Sequence, residues 1–574
     1  MDVSIGLVGS GPAIDAVAAA LDDVGIDTRQ GSPETLSTRR LAVVVDRVGA
    51  DTFFGVDESR DGPWIAVELG GIGGYAIEGV EASITGFTPE VGCYRCLRTR
   101  IESGEFELAA DAPDPDPDPA LARLAGAIAG QRIVTALRGE ESRLFGRVIE
   151  LPYTERRFLG VPTCERCGGR PSEPADESES RSVEEAIAHA EGGVDERVGI
   201  VRSIGELASF PVPYYLATTG ETDGFSDASA ANKAAGVAAD WNTAYMKALG
   251  EALERYSAGV YRSEWFEFAR PGEMEGAVAP ERFVGVDATG AEIPWVAGER
   301  LDTGESVSLP AEFVQFPPPE KRFGPSITTG LGLGNTRNEA LLSGLYEVIE
   351  RDATMLAWYS TFEPLGLAVE DETFSTLLGR AASEGLSVTP LLVTQDVDVP
   401  VVTVAVHREG QGGGGDEWPC FALGSDADLD ATAAARSALC EALQNWMELR
   451  SMGPEAAGEE SGWIGRYASF SDPARDLLDT SGTVDASAVG VETLGSSGEL
   501  DAVVSRVSDA GLTPSAAWIT PTDVRELGFE ATRVVVPEAQ PLFTRKPVFG
   551  ERAETVPRTM GFEPRLERDP HPYP

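Results

Sequence analysis

The order of apolar and amphipathic segments at the start of the chain predicts an α/β fold. An apolar run over Val3–Val8 ends at the turn Gly9–Gly11, and an alanine-rich helical segment follows over Ala13–Val24. Further apolar runs at Leu41–Val45 and Trp64–Val67 continue the pattern as predicted strands. A strand, a glycine turn and a helix in this order are typical of the first unit of a Rossmann-like domain.

The glycine turn lacks two features of a dinucleotide-binding fingerprint. Ile14 stands where the third glycine would fall, and no suitable ribose-binding acid follows about 20 residues further on. We therefore interpret the turn as part of the scaffold of a degenerate Rossmann-like domain.

Two proline-rich acidic stretches divide the chain. Residues 111–119 (DAPDPDPDP) are expected to form neither a helix nor a central strand, because proline lacks the N–H group that both require. Residues 171–182 are also acidic and rich in proline and serine, and they lack hydrophobic periodicity. We interpret this second stretch as a linker between an N-terminal domain, residues 1–170, and a C-terminal domain, residues 183–574.

The charge balance excludes several classes of partner. The 574 residues include 94 aspartates and glutamates against 46 lysines and arginines, which gives a formal net charge of −48. A field of this sign repels phosphate, so neither a nucleic acid nor an anionic membrane surface is expected as a partner. Because 42% of the residues are hydrophobic, packed cores are still expected.

The composition also predicts where the protein works. Almost all the positive charge is arginine, a pattern that suits molar salt, where a Debye length of about 3 Å screens self-repulsion. We expect a cytoplasmic protein of a halophile. No run of about 18 apolar residues predicts a membrane span, and the N-terminus lacks the basic segment of a signal peptide.

Four of the six cysteines form two widely separated CxxC pairs. Cys93 and Cys96 make the first pair, and Cys164 and Cys167 make the second. Four thiolates complete the tetrahedral shell of a structural Zn²⁺ ion and leave no open position for catalysis. We therefore predict a structural zinc site, with two unrelated thiol pairs or a redox pair as the alternatives.

Three helical segments of the C-terminal domain carry glutamates on shared faces. The glutamates are Glu251, Glu254, Glu339, Glu347, Glu350 and Glu441. At about 100° per residue, Glu339 and Glu350 lie about 20° apart around one helix, and Glu347 lies about 80° from Glu339. Apolar residues flank these glutamates, where a surface helix would place lysines as partners. We therefore expect the carboxylates to point into a semi-buried site.

Buried carboxylates need compensating cations, and Mg²⁺ is the natural one for oxygen ligands. Since one Mg²⁺ ion takes only one or two carboxylates, the set predicts more than one Mg²⁺ bridging a triphosphate. Gly330, Gly332 and Gly334 precede a helix and would let backbone N–H groups approach phosphate. No GxxxxGK[ST] sequence occurs, so an ATP site of another kind is expected.

The three motifs are specific enough to indicate a family. ALGEALERYS (248–257), TTGLGLGNTRNEALLSGLYEVIERDA (328–353) and ALCEALQ (438–444) resemble the ATP/Mg²⁺ motifs of the YcaO superfamily. The resemblance extends over roughly residues 183–574, and the first 170 residues are similar to a degenerate ThiF/E1-like domain. This pairing resembles fused cyclodehydratases, which install thiazoline and oxazoline rings in ribosomal peptides. It implies an α+β YcaO domain with its ATP site between helices and sheet.

The resemblance also implies roles for individual residues. The six glutamates would hold Mg²⁺ and phosphates, and Asn335, Arg351 and Gln444 would contact the nucleotide. The chain departs from the family at Gly332, where serine is frequent, and at Ser437, where arginine is frequent; its nearest arginine lies one residue earlier.

The C-terminal sequence PHPYP (570–574) is similar to the Pro-x-Pro-x-Pro terminus of azoline-forming members. Behind such a domain it is expected to extend as a polyproline II segment into the active site. We hypothesise that the carboxylate of Pro574 acts there as the general base.

The resemblance implies an ATP-dependent enzyme. A Cys, Ser or Thr side chain of the substrate would attack the preceding amide carbonyl, ATP would phosphorylate the oxyanion, and loss of phosphate would leave an azoline. Arg351 and Mg²⁺ would neutralise the developing charge. Two alternatives stay open: a backbone thioamide made with external sulfide, and a non-catalytic scaffold. The expected partners are a precursor peptide or protein, a flavin-dependent dehydrogenase and, in a homodimer, a second copy of the chain.

Overall fold

The computed structural model of the chain describes ten segments. They are residues 4–36, 40–104, 118–139, 144–152, 154–171, 180–408, 418–459, 463–491, 495–544 and 546–574. Most of the predicted proline–aspartate loop and most of the predicted linker lie outside the described residues, so the domain boundary stays a prediction.

The N-terminal part is built around one mixed sheet. Its strands are β1 (Ile5–Val8), β2 (Thr28–Gln30), β3 (Ala42–Arg47), β4 (Trp64–Leu69), β5 (Ala82–Phe87), β6 (Arg147–Leu151) and β7 (Thr154–Arg157). They follow the order β2-β1-β3-β4-β5-β6-β7, parallel from β2 to β4 and antiparallel beyond. Its helices are α1 (Pro12–Asp22), α2 (Asp51–Ser59), α3 (Tyr94–Glu102) and α4 (Pro119–Leu137). The parallel strands and intervening helices confirm the predicted Rossmann-like start.

Helices α1 and α4 pack together over the buried side chains of this sheet, among them Val43 and Ile65. Gly126 of α4 lies where the two helices meet. A Cβ atom there would stand 2.0 Å from the Ala13 carbonyl oxygen, so a larger residue would separate the helices. Helix α4 begins after Asp118, whose carboxylate accepts a hydrogen bond from Ala120 N over 2.9 Å.

The described residues of the C-terminal part form three sheets. Its strands are β8 (Val201–Ala208), β9 (Tyr214–Thr219), β10 (Lys233–Val237), β11 (Glu267–Ala269), β12 (Ile293–Arg300), β13 (Ser306–Pro310), β14 (Leu331–Gly334), β15 (Leu365–Ala368), β16 (Ser387–Leu392), β17 (Val401–His407), β18 (Phe421–Ala427), β19 (Thr483–Asp485), β20 (Ser515–Trp518) and β21 (Glu530–Val535). The sheet orders are β10-β9-β8, β11-β12-β20-β21-β14 with β13 beside β12, and β18-β17-β16-β15-β19. Every pairing in these sheets is antiparallel except that of β15 with β19.

Twelve helices surround these sheets in the described residues. They are α5 (Val183–Ala190), α6 (Trp241–Gly259), α7 (Ala311–Val314), α8 (Arg337–Trp358), α9 (Glu372–Ser383), α10 (Ala431–Glu459), α11 (Ile464–Tyr467), α12 (Asp472–Leu477), α13 (Ala486–Val489), α14 (Ser496–Asp509), α15 (Thr522–Glu526) and α16 (Arg552–Thr559). Helix α10 is broken at Gly453, whose φ of 78° is non-helical. No helix among the segments described above is both long enough and apolar enough to cross a membrane.

Three of these helices approach a strand closely, each at a glycine. Helix α6 packs on β10, α8 on β14 and α10 on β18. A Cβ atom would stand 2.2 Å from the Ala244 oxygen at Gly236, 2.1 Å from the Ala340 oxygen at Gly332 and 2.4 Å from the Ala438 oxygen at Gly424. Since real Cβ atoms do not come this close to oxygen, each contact requires the strand residue to be glycine.

One of the hydrophobic cores contains residues of both the N-terminal sheet and the C-terminal part. Phe87 and Leu97 belong to the same buried cluster as Leu249 and Leu253 of α6 and Leu527. The helix that carries the first glutamate motif therefore shares a hydrophobic core with the N-terminal part.

Candidate active site

Each of the three glycine-contacting helices directs a glutamate back to the backbone of the strand segment beneath it. Ala235 N–H donates to Glu251 Oε2 over 2.5 Å, Gly330 N–H to Glu347 Oε2 over 3.0 Å, and Ser425 N–H to Glu441 Oε2 over 2.6 Å. The close approach that glycine permits brings each carboxylate within reach of its N–H donor. Burial raises the pKa of Glu251 and of Glu441, and the nearby charge of Glu347 raises both further. The three carboxylates therefore share one electrostatic environment.

Two more glutamates of the motifs lie in the same environment. Burial raises the pKa of Glu254 to about 8, and the charges of Glu347 and Glu251 add to this shift. Burial also raises the pKa of Glu350, against the opposing effect of Arg351. The Oε1 atom of Glu350 accepts a hydrogen bond from Ser425 Oγ over 2.6 Å and lies 3.3 Å from Arg351 Nη1. Crowded carboxylates with raised pKa values are suited to a divalent cation, because its charge would favour their ionised forms.

Two largely buried arginines partly offset this negative charge. Burial opposes the charged form of Arg351, but Glu350 and Glu441 outweigh it and raise the pKa of the guanidinium. Arg533 of β21 is 6% exposed and donates to the carbonyl oxygens at positions 327 and 328, each over 2.9 Å. Burial lowers the pKa of Arg533 to about 10, although Glu347 and Glu254 oppose this shift.

The start of α8 holds Glu339 and Asn335 together. Thr336 caps the helix by accepting a hydrogen bond from Glu339 N over 3.1 Å. Glu339 Oε2 in turn accepts from the backbone N–H of Asn335 over 2.8 Å and from its side-chain Nδ2 over 3.1 Å. The other oxygen of Glu339 accepts from Ser180 Oγ over 2.5 Å. This arrangement fixes both predicted side chains at one end of a cleft.

The cleft lies between α5, α6 and the β14–α8 turn and has a volume of about 460 Å³. Glu251, Glu254, Asn335 and Glu339 line it, as do Arg181 and Lys247. Apolar side chains line the rest, among them Val183, Met246, Leu333 and Phe529. An apolar wall beside carboxylates and cations suits a ligand with one flat apolar end and one charged end.

Gln444 lies one turn after Glu441 on α10 and contacts a neighbouring acid. Its Nε2 donates to Glu448 Oε1 over 2.9 Å, and the same oxygen accepts from Tyr214 Oη over 2.6 Å. Glu448 adds to the negative charge that raises the pKa of Glu251, after the larger effect of burial. Gln444 is thus placed at the edge of the glutamate cluster.

The proline-rich tail reaches the cluster from the opposite end of the sequence. Trp358 Nε1 donates to the Asp569 carbonyl over 2.8 Å, Tyr467 Oη donates to the Pro570 carbonyl, and His571 Nε2 lies 2.6 Å from the Phe543 carbonyl oxygen. His571 and Tyr573 are 0% and 1% exposed. The main-chain oxygen of Pro574 accepts from Arg351 Nη1 over 3.4 Å. The tail therefore ends beside Arg351, which itself contacts Glu350.

Several residues of the cluster carry only a weak sequence signal. Ser425 and Asp426 follow the glycine of β18, and Arg533 lies within β21. Burial raises the pKa of Asp426 to about 7, while Lys247 opposes the shift. All three lie on strands, where the helical spacing that reveals the glutamates does not apply. A polar residue within an apolar strand is the only signal that they offer.

The four paired cysteines meet in the N-terminal part. Cys93 and Cys96 lie at the start of α3, and Cys164 and Cys167 lie after β7. Their sulfur atoms all lie within 4.8 Å of one another, and three of the pairs are 3.3–3.7 Å apart. Tetrahedral Zn²⁺ with Zn–S bonds of about 2.3 Å requires sulfurs roughly 3.8 Å apart, so this four-cysteine cluster could hold such an ion.

The motif helices fall within a known family profile. The profile described as "YcaO cyclodehydratase, ATP- and Mg²⁺-binding" matches residues 235–540, which is more than half of the chain. The chain belongs to the YcaO family. An uncharacterised protein of Methanothermobacter thermautotrophicus is 37% identical to this YcaO protein over 185 residues, which is 30% of this chain and 46% of that protein. The match thus spans about half the length of that curated relative.

Two solved structures resemble this YcaO protein over nearly its whole length. The first is a heterocyclase in complex with substrate and cofactor, with a TM-score of 0.72 and 19% sequence identity. The match covers 97% of this chain and 83% of the heterocyclase chain. The second is the heterocyclase TruD, with a TM-score of 0.64 and 19% sequence identity. That match covers 97% of this chain and 82% of the TruD chain. At this identity the likeness shows the fold, which the N-terminal sheet shares as well as the YcaO part.

Proposed function

We propose that this YcaO protein uses ATP and Mg²⁺ to convert Cys, Ser or Thr residues of a peptide into thiazolines or oxazolines. One observation carries the proposal. Three helices hold glutamates on backbone N–H groups, the charge of Glu347 acts on both Glu251 and Glu441, and Pro574 contacts Arg351. ATP-dependent activation of a peptide amide follows from membership of the family; ring formation is the finer proposal.

The reaction proceeds in three stages. A base takes the proton of the substrate thiol or hydroxyl while its sulfur or oxygen bonds to the preceding carbonyl carbon. The carbonyl oxygen becomes an oxyanion, attacks the terminal phosphorus of ATP and displaces ADP. Phosphate then leaves the carbon as the amide nitrogen loses its proton, and a C=N bond completes the azoline. Arg351 stabilises the oxyanion by its positive charge, and the site holds the reactants in line.

The site residues form two sets: those that would bind the metal and those that would contact the nucleotide. We assign Mg²⁺ binding to Glu251, Glu254, Glu339, Glu347, Glu350 and Glu441, and nucleotide contacts to Asn335, Arg351 and Gln444. Mg²⁺ bound there would neutralise the phosphates. The donor set fits, since it supplies carboxylate oxygens from three elements and the carboxylates outnumber the arginines in contact with them. The apolar wall that includes Leu333 and Phe529 suits the adenine.

The carboxylate of Pro574 is the proposed general base. Its contact with Arg351, the residue proposed to stabilise the oxyanion, supports this role. Appending residues after Pro574 should abolish ring formation and leave Mg-ATP binding unchanged. A fully active extended protein would exclude the tail as the base.

Zn²⁺ in the four-cysteine cluster is proposed as a structural ion, since four thiolates leave no open coordination position. The peptide substrate, a flavin-dependent dehydrogenase acting on its product, and a homodimer stay predictions.

The first test is Mg-ATP binding, followed by thermal shift in molar KCl. Wild type should gain about 2.7 kcal/mol at a hundredfold excess over Kd. Glu350→Gln should lose this gain, whereas Glu267→Gln on the exposed strand β11 should retain it. If wild type and both variants fail to respond, the ATP mechanism has no basis.

The second test separates the reaction products. Synthetic peptides that contain Cys, Ser or Thr are incubated with Mg-ATP, with and without sulfide, and analysed by mass spectrometry. Loss of the mass of one water supports cyclodehydration, and replacement of oxygen by sulfur supports a thioamide. ATP turnover that peptide stimulates would exclude the scaffold.

A further inference from the structure

Lys247 is a cation of the cleft to which the proposed reaction assigns no role. It lies one helical turn before Glu251 on α6, lines the cleft and is exposed. It is one of only four lysines in a chain with 46 basic residues. Lysine is rare in this acidic protein. Its presence beside a cleft lined by glutamates therefore indicates a specific role.

The ammonium of Lys247 forms no ion pair within 4.0 Å with any carboxylate among the residues that the structure describes. Its Nζ contacts Ser437 Oγ of α10 over 3.3 Å. Two other cations of the site differ in this respect: Arg255 is paired with Glu251, and Arg351 with Glu350. Lys247 thus reaches from α6 to α10, and two of the three N–H donors of its ammonium group are available to a ligand.

The position of Lys247 indicates which part of a nucleotide it faces. The apolar wall around Val183 and Phe529 lies on the α5 side of the cleft, whereas Ser437 lies one turn before Glu441 on α10. Because Lys247 Nζ contacts Ser437, the lysine faces the α10 side of the cleft. With the base on the apolar wall, the phosphate chain extends towards α10.

We propose that Lys247 binds the terminal phosphate of ATP between α6 and α10, an inference that rests on the ATP site proposed above. The glutamates cannot hold phosphate oxygens except through a cation, so an unpaired ammonium supplies a direct charge-assisted hydrogen bond. In molar salt the Debye length is about 3 Å, so only a cation in contact with the phosphate contributes much.

Titration calorimetry with Mg-ATP and Mg-ADP tests this assignment in molar KCl. Lys247→Met should weaken Mg-ATP binding by about tenfold or more, because a hydrogen bond to a charged group is lost. Mg-ADP, which lacks the terminal phosphate, should bind to wild type and Lys247→Met alike. Lys247→Arg should retain most of the Mg-ATP affinity. Because Lys247 is exposed, the unliganded variants should unfold at the wild-type temperature.

A second-site variant makes the test more specific. Since Lys247 Nζ lies against Ser437, an arginine at position 437 would place its charge in the same space. Ser437→Arg added to Lys247→Met should therefore restore the preference for Mg-ATP over Mg-ADP. If wild type binds Mg-ATP and Lys247→Met binds it equally well, or loses both nucleotides equally, the role of Lys247 is wrong. If wild type binds neither nucleotide, the proposed function falls, and the role of Lys247 falls with it.

Discussion

The Arg100 guanidinium of α3 forms a buried ion pair with the Asp523 carboxylate of α15, which joins the N-terminal part to the YcaO part. The two side chains are 2% and 0% exposed. Tyr256 Oη donates to the same carboxylate over 2.7 Å and accepts from Arg100 Nη1 over 3.3 Å. Tyr256 lies two residues after Glu254, so this contact bears on the helix of the first glutamate motif.

Removal of Arg100 should therefore destabilise the protein strongly. Arg100→Met leaves the buried Asp523 without its cation, and loss of one partner from a buried pair costs roughly 3–5 kcal/mol. Chemical unfolding in molar KCl measures this cost. The double variant Arg100→Met/Asp523→Asn should recover part of it, because the uncompensated charge is gone.

Arg95 offers a matched control on the same helix. Its ion pair with Glu58 spans 2.5 Å, but the two side chains are 50% and 60% exposed. Arg95→Met should change the free energy of unfolding by less than about 1 kcal/mol, since solvent and salt screen exposed pairs. Equal losses in Arg100→Met and Arg95→Met would contradict a special role for the buried contact.

The strand glycines under the glutamate helices lead to a second prediction. Gly424→Ala would place Cβ 2.4 Å from the Ala438 oxygen and so push α10 away from β18. The Ser425–Glu441 hydrogen bond would lengthen, and overpacking would cost about 1–3 kcal/mol. Mg-ATP should then raise the unfolding temperature of the variant by less than it raises that of wild type.

Gly379 of α9 is the control, because a Cβ atom there would meet nothing within 4 Å. Gly379→Ala should stabilise the protein by roughly 0.5–1 kcal/mol, as alanine suits a helix interior better than glycine. Its response to Mg-ATP should match that of wild type. A normal nucleotide response in Gly424→Ala would show that the close approach of α10 is not needed for the site.

The sequence predicts the glutamates of this site better than it predicts what holds them. The stripe formed by Glu339, Glu347 and Glu350 follows from the 100° helical rotation alone. The N–H donor of Glu441 is Ser425, and no spacing within the motif ALCEALQ indicates it. That partner lies on another element, and only the packing of helix on strand brings it close.

The glycines before α8 show the same limit. Gly332 is expected from its position to open the backbone to phosphate, and the structure gives it a steric function: it lets β14 touch α8 at Ala340. Arg100 stands in a segment that resembles an E1-like domain, yet its partner Asp523 lies more than four hundred residues away. Long-range pairs of this kind have no local pattern to reveal them.

The four-cysteine cluster predicts a zinc-dependent N-terminal part. Cys164→Ser should lower the metal content from about one zinc ion per chain, because three thiolates bind it less tightly than four. Helix α3 begins just after Cys93 and carries Arg100, so loss of the ion should also lower the unfolding temperature. Elemental analysis and calorimetry measure the two effects.

Cys420 provides the comparison for this experiment, since it is buried at 3% exposure in the YcaO part, outside the four-cysteine cluster. Cys420→Ser should keep the zinc content of wild type. Zinc-free wild-type protein with an unchanged unfolding temperature would show that the cysteines do not form a metal site.

The tail histidine predicts a pH dependence of stability. Burial lowers the pKa of His571 to about 4, from an ordinary value of about 6.5 in the unfolded chain. The unfolded state therefore binds more protons between these values. The stabilising contribution of neutral His571 is present above about pH 6.5 and is lost as the pH falls towards 4, by up to about 3 kcal/mol.

His571→Gln keeps an N–H donor for the Phe543 carbonyl but cannot take up this proton. The difference in unfolding free energy between wild type and His571→Gln should thus shrink, and then reverse in favour of the variant, as the pH falls from 6.5 to 4. A difference that stays constant over this range would show that His571 is already protonated in the folded tail, or that the tail is not held at Phe543.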